Sequence, residues 1–533
     1  MTSRRDFLAA TGAASLALSR APALTGLAAE DDLILRNGTL FDGTGGEGRE
    51  ADLALRGGRI RAVGRHLGGH GREEIDCRGL AVAPGFIDIH SHGESNLPDD
   101  PRAESLIRQG ITTIIAGQDG DSAADGVAAF LGRMTALHPA VNVATMVGLG
   151  TLREVVIGDA DRPATAGELA RMVALAEQAL ADGACGASSG LEYVPGAFAP
   201  REELIALCRP LARRRLPYAT HMRNEDDRLL EAIDEAVAVA EGAGCPLQVS
   251  HLKTQGRRNW GKLDDAFARV AAARARGTDA AFDRYPYVAY QTGLTNLFPA
   301  WSRDGGTDAF LARLADTTVA PRIETEARAK VELLGGWDNV MITSVRDTAD
   351  RGAEGQRLGT YAAAQGAEPY ALTLGLLRRS AGSVGMVGFA MSEENLDRIL
   401  AHPQGMVCSD GGSYAVDGPT RRGSPHPRGL GSFPRVLGRY VRERRALSLG
   451  QAVRKMSAYP AERVRLADRG RLARGMAADV VVFDPATVAD RATFEQPFQY
   501  PVGIPLVVVN GVIALRDGER VGQASGRALT PSA

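Results

Sequence analysis

Through the middle of the chain, short apolar runs alternate with longer stretches of helical spacing. The runs lie at 80–89, 111–116, 141–147, 184–189, 216–220, 246–250, 279–283 and 405–408, with the length and Val/Ile/Ala content of buried strands. The stretches between them are rich in Ala, Leu, Arg and Glu. This alternation predicts repeated βα units, and eight of them predict a (β/α)8 TIM-type barrel of the α/β class. A doubly wound open sheet is the alternative, and it would gather function at a single switch point. The two ends read differently. Residues 30–84 and 466–533 carry short alternating runs cut by Gly-Gly and Asn-Gly turns, which predicts one small β-domain built from both ends. Between the seventh and eighth runs lie about 120 residues, far more than an ordinary βα connection. Roughly 292–365 therefore reads as an inserted lid subdomain within a barrel spanning 85–465.

Every run but the third leads straight into polar residues. In order these are His90/His92, Gln118/Asp119, Ser188/Ser189/Glu192/Tyr193, His221/Arg223/Asn224/Glu225, Ser250/His251/Lys253, Asp283/Tyr285 and Ser409/Asp410. Barrel enzymes carry their chemistry at these C-terminal strand ends. His90 and His92 are two apart, so in an extended chain their rings leave on the same side, and Asp88 shares that parity. Together with His221, His251 and Asp410 they form a candidate metal site. Imidazole and carboxylate donors suit a catalytic Zn²⁺ with an open position, which acidifies water near neutral pH. Asp410, after the last run, is the candidate acid/base. His66, His70, His138 and His402 receive no role, and His426 serves either loop packing or substrate contact.

Composition narrows the partners. A formal charge of −2 gives no reason to expect nucleic acid, and 44% apolar residues suit a globular enzyme. Only four lysines occur (253, 262, 330 and 455), which makes Lys253 conspicuous at a strand end. The five cysteines form no Cys-x-x-Cys and read as buried thiols. Ser3-Arg-Arg-Asp-Phe-Leu, followed by a weakly apolar stretch and small residues, reads as a twin-arginine export signal over 1–29, with candidate cleavage after Ala23 or Ala29. It is too short and too rich in Ala and Gly to span a membrane. The expected setting is therefore a bacterial periplasm or beyond, reached through the Tat export machinery, with no membrane anchor.

The motifs Pro84-Gly-Phe-Ile-Asp-Ile-His-Ser-His, Ser189-Gly-Leu-Glu-Tyr-Val-Pro-Gly, Thr220-His-Met-Arg-Asn-Glu, Ser250-His-Leu-Lys, Asp283-Arg-Tyr-Pro-Tyr, Cys408-Ser-Asp-Gly and His426-Pro-Arg-Gly-Leu-Gly, with Asp479-Val-Val-Val-Phe-Asp-Pro, resemble the amidohydrolase superfamily. Within it they resemble the N-acyl-D-amino-acid deacylases. The resemblance covers nearly everything after residue 31. It implies a barrel binding one or two zinc ions beside a small β-domain, with a lid inserted late. A firmly held ion would sit on His221, His251 and a bridging residue, and a weaker one on His90, His92 and Asp410, with Asp410 as acid/base. Tyr193, Lys253 and Tyr285, and also Arg223, would face the substrate carboxylate. One departure stands out. The family's bridging cysteine in Gly-Asn-Cys-Gly is replaced here by Gly117-Gln118-Asp119-Gly120, so Asp119 is the candidate bridge. A carboxylate is a harder ligand than a thiolate and can still span two ions.

The expected activity is metal-dependent hydrolysis of an N-acyl-D-amino acid to a carboxylate and a free D-amino acid. Two other readings differ from it: hydrolysis of a cyclic amide, dipeptide or N-carbamoyl compound, and a non-catalytic exported binding protein.

Overall fold

A computed structural model describes residues 30–521 and 524–532. The twin-arginine segment read from the sequence lies outside the described residues. Two parallel arrays make the barrel wall. One orders the strands Phe86–Asp88, Ile111–Ala116 and Asn142–Thr145. The other runs Val147–Gly148, Ala187–Gly190, Tyr218–His221, Leu247–Val249, Ala280–Arg284 and Gly405–Val407. The arrays meet at Met146, where the third strand breaks: Met146 N–H donates to Ala116 O and Val147 N–H to Gly186 O. On the opposite side the eighth strand closes on the first. Asp410 N–H donates to His90 O at 2.8 Å, His92 N–H to Gly411 O at 3.0 Å, and Ser409 N–H to the Asp88 carboxylate at 2.8 Å. The barrel strands are buried throughout, as a parallel sheet covered by helices requires. The Asp88 carboxyl is pushed up to about 7 by burial, against hydrogen bonds from Ser409. It stitches the barrel seam through Ser409 and belongs to neither group of convergent metal donors.

The run 80–89 serves two sheets. Ala81–Pro84 pairs antiparallel with Val480–Phe483 in the small domain, and the barrel begins only at Phe86. Gly85 is the crossing point, because a Cβ there would lie 2.3 Å from Thr112 Oγ1. The small domain is a nine-stranded sheet from both chain ends. Its order runs from Glu519–Arg520 through Val512–Arg516, Leu506–Val509 and Val480–Phe483 to Ala81–Pro84, Asp31–Leu40, Arg49–Arg56 and Arg59–Gly64, and the ninth strand, Gly71–Asp76, pairs in parallel with Asp31–Leu40. Residues 524–532 leave this sheet and return to the barrel. Val143 N–H donates to Arg527 O and Leu529 N–H to Val143 O, which adds the tail to the third barrel strand.

The insertion is longer than 292–365. It holds an antiparallel sheet of Ala289–Gly293, Val384–Phe389 and Val340–Val345, in that spatial order, so its central strand, Val384–Phe389, lies beyond the expected end. Its apolar core, including Phe298, Phe310, Ile323, Val331 and Leu376, is continuous with barrel-lumen residues Ile87, Ile115, Ala219 and Ala281. The lid is thus packed onto the barrel mouth through a shared core. No helix among the described residues is long and apolar enough to cross a membrane. All five cysteines are free and buried.

Candidate metal centre and substrate cavity

The strand ends bring all six expected ligands together. His90, His92, Asp119 and Asp410 form one group of converging donor atoms, and Asp119, His221 and His251 form a second. Asp119 belongs to both. Its Oδ1 lies 3.4 Å from His90 Nε2 and 3.5 Å from His251 Nε2; its Oδ2 lies 3.4 Å from His92 Nε2 and 3.9 Å from His221 Nδ1. Asp410 Oδ1 lies 3.5 Å from His90 Nε2 and 3.2 Å from His92 Nε2. An ion with four donors at about 2.0–2.1 Å holds them about 3.3 Å apart, the spacing found here. That spacing is long for hydrogen bonds. Nε2 of His90 and Oδ1 of Asp119, which face each other across the cluster, are buried without a hydrogen-bond partner. Buried polar atoms are ordinarily satisfied, so this set fits a cation as the common partner.

The chain holds these groups at a backbone cost. Asp119, His251 and Asp410 take φ of 54°, 36° and 51°, a region that non-glycine residues seldom adopt. The Asp119 turn is wedged against the fourth strand: a Cβ at Gly190 would come within 1.9 Å of Asp119 O. The rings are oriented from behind. His90 Nδ1 faces Asp283 Oδ1 at 3.6 Å, His221 Nε2 faces Glu192 Oε2 at 3.5 Å, and His251 Nδ1 lies between Glu225 Oε1 at 3.1 Å and Lys253 Nζ at 2.7 Å. Carboxylates behind ligating histidines fix ring orientation and raise basicity.

Electrostatics within the cluster are mutual. Burial alone would favour neutral rings, yet Asp119 and Asp410 push His92 up to about 10 and hold His90 well above the ordinary imidazole value. Burial would likewise raise the carboxyls. Instead His90 and His251 hold Asp119 well below the carboxylate range, and Arg428 followed by His90 does the same to Asp410.

The cluster opens into a cavity of about 540 Å³, lined also by Tyr193, Lys253, Tyr285 and Arg428. Three cations lie against the Tyr285 ring, with Arg284 Cζ 4.1 Å, Arg428 Cζ 4.8 Å and Lys253 Nζ 5.9 Å from its centre, and its Oη is buried and unpartnered. Tyr193 Oη approaches His221 Nδ1 at 3.5 Å and accepts from Thr292 at 3.4 Å.

Arg223 is not part of this site. Its guanidinium is spent on Glu235 at 2.9 Å and on the carbonyls of Ala197 and Ala199 at 2.6 and 2.8 Å, facing a separate surface hollow. It follows His221 by two residues, but the strand ends at His221, so alternation no longer sets its direction. His426 packs the loop: Nε2 meets Ala289 O at 3.0 Å, and Nδ1 accepts from Arg428 N–H at 3.0 Å. The sequence reading gave no role to Arg428, Glu225 as the partner of Lys253, or Tyr290. Arg428 belongs to the His426-Pro-Arg motif, the one signal of it in the sequence.

A family model described as the amidohydrolase family matches residues 73–515. The chain belongs to this family. This amidohydrolase is 37% identical over 524 residues to a D-aminoacylase of Alcaligenes xylosoxydans xylosoxydans, covering 94% of this chain and 98% of that one. It is 36% identical to an N-acyl-D-glutamate deacylase (90% and 93% covered) and 36% to an N-acyl-D-aspartate deacylase (94% and 96% covered), both of the same organism. Among solved structures it matches an N-acyl-D-glutamate deacylase of Bordetella bronchiseptica, complexed with zinc and a phosphonate mimic of the tetrahedral intermediate. That match has a TM-score of 0.80 and 36% identity, over 94% of this chain and 100% of that one. A D-aminoacylase studied for its binuclear metal centre matches with the same values. An L-hydantoinase from Arthrobacter aurescens, at 18% identity and TM-score 0.58 over 94% of this chain and all of that one, shares the fold.

Proposed function

We propose that the chain is a metal-dependent hydrolase that cleaves the amide bond of N-acyl-D-amino acids, releasing a carboxylate and a free D-amino acid. The observation that carries this reading is the sharing of Asp119 between two convergent donor groups beside a carboxylate-binding wall, in a chain similar along its length to deacylases of D-amino acids. The donor set fits one or two zinc ions: His221, His251 and Asp119 would hold one, and His90, His92, Asp410 and the same Asp119 a second. When bound, zinc supplies Lewis acidity toward the amide carbonyl and acidifies water.

The chain's own groups do the rest. Tyr285 Oη, an unpartnered donor beside Lys253 and Arg428, binds the substrate's α-carboxylate, with charge assistance from both cations. Tyr193 closes the opposite side next to His221. Asp410 Oδ1 accepts the proton of the attacking water and returns it to the leaving nitrogen, while Arg428 at 2.7 Å holds Oδ2 still. The packed lid keeps bulk water from this exchange.

Rates on N-acetyl-D-amino acids, their L enantiomers and hydantoins, measured side by side, test the reading. It expects turnover of the D forms, and turnover of cyclic substrates alone would overturn it. The export route is part of the same proposal. It is supported by Ser3-Arg4-Arg5-Asp6-Phe7-Leu8 and would place the enzyme in the periplasm or outside the cell. Replacing Arg4 and Arg5 by Lys should leave the protein inside the cell, and unchanged export would contradict it.

A further inference from the structure

The relatives differ in the side chain they act on, while their similarity to this chain is nearly equal. The cavity itself discriminates. Six carboxylates face it (Asp119, Asp121, Glu154, Glu192, Glu225 and Asp410) against two cations, Lys253 and Arg428. Both cations are engaged already, Lys253 Nζ with Glu225 at 2.6 Å and Arg428 Nη1 with Asp410 at 2.7 Å. They stand at the floor, beside the metal donors and the carboxylate-binding Tyr285. Away from the floor the balance is acidic. Glu192 meets Asn296 Nδ2 at 3.1 Å and His221 at 3.5 Å, and its backbone carbonyl accepts from Arg303 at 2.9 Å. At the exposed rim, Asp121 accepts from Thr151 at 3.2 Å. Burial, then Asp159 and Asp121, raises the Glu154 carboxyl above its ordinary value.

A separate observation points to a ligand in this part of the cavity. Tyr290, on the lid strand Ala289–Gly293, is 5% exposed, lines the cavity, and has no hydrogen-bond partner for its hydroxyl. A phenol can accept from an N–H or donate to a carbonyl. The buried wall therefore offers a neutral hydrogen-bonding group whose charged neighbours include both Lys330 and Glu192, and the rim adds two anions.

Resting on the deacylase reading, we propose that this cavity selects N-acyl-D-amino acids with an uncharged or cationic side chain and excludes those with a carboxylate side chain. An added anion near Glu192, Glu154 and Asp121 is disfavoured by about tenfold or more at the effective dielectric of such a site. The α-carboxylate sits at the floor instead, where the unpartnered Tyr285 hydroxyl lies beside the Lys253 and Arg428 cations.

The test compares N-acetyl-D-glutamine with N-acetyl-D-glutamate, which are nearly isosteric and differ in charge, on the metal-loaded enzyme. The expected kcat/KM ratio is about tenfold or more in favour of glutamine, and it shrinks as salt screens the rim. An Asp121→Asn/Glu154→Gln double variant should narrow the ratio severalfold. Equal or reversed turnover of the pair overturns the selectivity and leaves the deacylase reading standing. A ratio unmoved by both salt and the double variant overturns its assignment to the rim carboxylates. No turnover of any N-acyl-D-amino acid overturns the deacylase reading itself.

Discussion

The Arg428 guanidinium holds Asp410 Oδ2 at 2.7 Å and leaves Oδ1 facing His92 Nε2 at 3.2 Å. One carboxylate is thus fixed from behind by a buried cation while its free oxygen points into the metal donors. Removing that oxygen's basicity without changing its shape should stop proton transfer and spare the other donors. Asp410→Asn is expected to lower kcat by about 10²–10⁴-fold. Elemental analysis should still find at least one ion per chain, held by His221, His251 and Asp119. Loss of all metal together with activity would show that Asp410 serves only as a ligand.

Asp119 contributes to both donor groups, so its removal should be felt by both. Asp119→Ala is expected to lose bound metal as well as turnover. Asp119→Cys offers a spectroscopic check, because a thiolate on cobalt gives a near-ultraviolet charge-transfer band that a set of histidines and carboxylates lacks. The cobalt-substituted variant should show that band and the parent should not. An unchanged metal content in Asp119→Ala would remove Asp119 from the ligand set.

Tyr285 and Arg223 make a contrasting pair. Tyr285 Oη faces the cavity unpartnered, whereas Arg223 is consumed by Glu235 and two carbonyls outside it. Tyr285→Phe should raise KM by about tenfold with a smaller change in kcat, the loss expected for one hydrogen bond to a charged group. Arg223→Ala should leave kcat/KM within about twofold, in line with substitutions away from a site. Steady-state kinetics on one N-acyl-D-amino acid checks both, and a larger effect from Arg223 would reverse their assignments.

Much of this site was legible in the residues themselves. His90 and His92 could be paired because strand alternation fixes their common side, and His221, His251 and Asp410 because each closes an apolar run. Asp119 could be singled out only by resemblance, because Gly117-Gln-Asp-Gly stands where the family has its bridging cysteine. Arg428 could not, because its importance lies in a partner 18 positions away across a loop. Arg223 was misplaced because alternation stops where the strand stops. The lid was cut short because Val384–Phe389 is interrupted by Gly385 and Gly388 and follows the helix Pro369–Arg379, which reads like another βα unit. The dual service of 80–89 was hidden for a related reason: one continuous apolar run carries no mark of which sheet each half will join.

Lys455 gives a pH dependence outside the metal cluster. Its ammonium is buried and donates to His402 O and to Gly405 O at 2.8 Å, capping carbonyls at the entry to the last barrel strand. Burial, followed by Arg454, lowers it to about 7. Between that value and its ordinary one near 10.5, the unfolded chain binds the proton that the folded chain has released, so stability rises with pH across this window and the gain is lost as pH falls toward 7. Lys455→Met should lack this rising contribution, which amounts to at most about 4 kcal/mol between the two limits. Denaturation midpoints of parent and variant at pH 7 and pH 9.5 check the sign. A parent that loses stability relative to Lys455→Met on going to pH 9.5 would refute it.

The most direct measurement is anomalous diffraction at the zinc edge, combined with elemental analysis, on protein purified without added salts. It should find one or two zinc ions per chain, with a peak about 2.0–2.2 Å from donors of His221, His251 and Asp119, and any second peak among His90, His92, Asp410 and the same Asp119. Fully active protein without metal, or a peak away from these six side chains, would contradict a shared cation as the centre of this site.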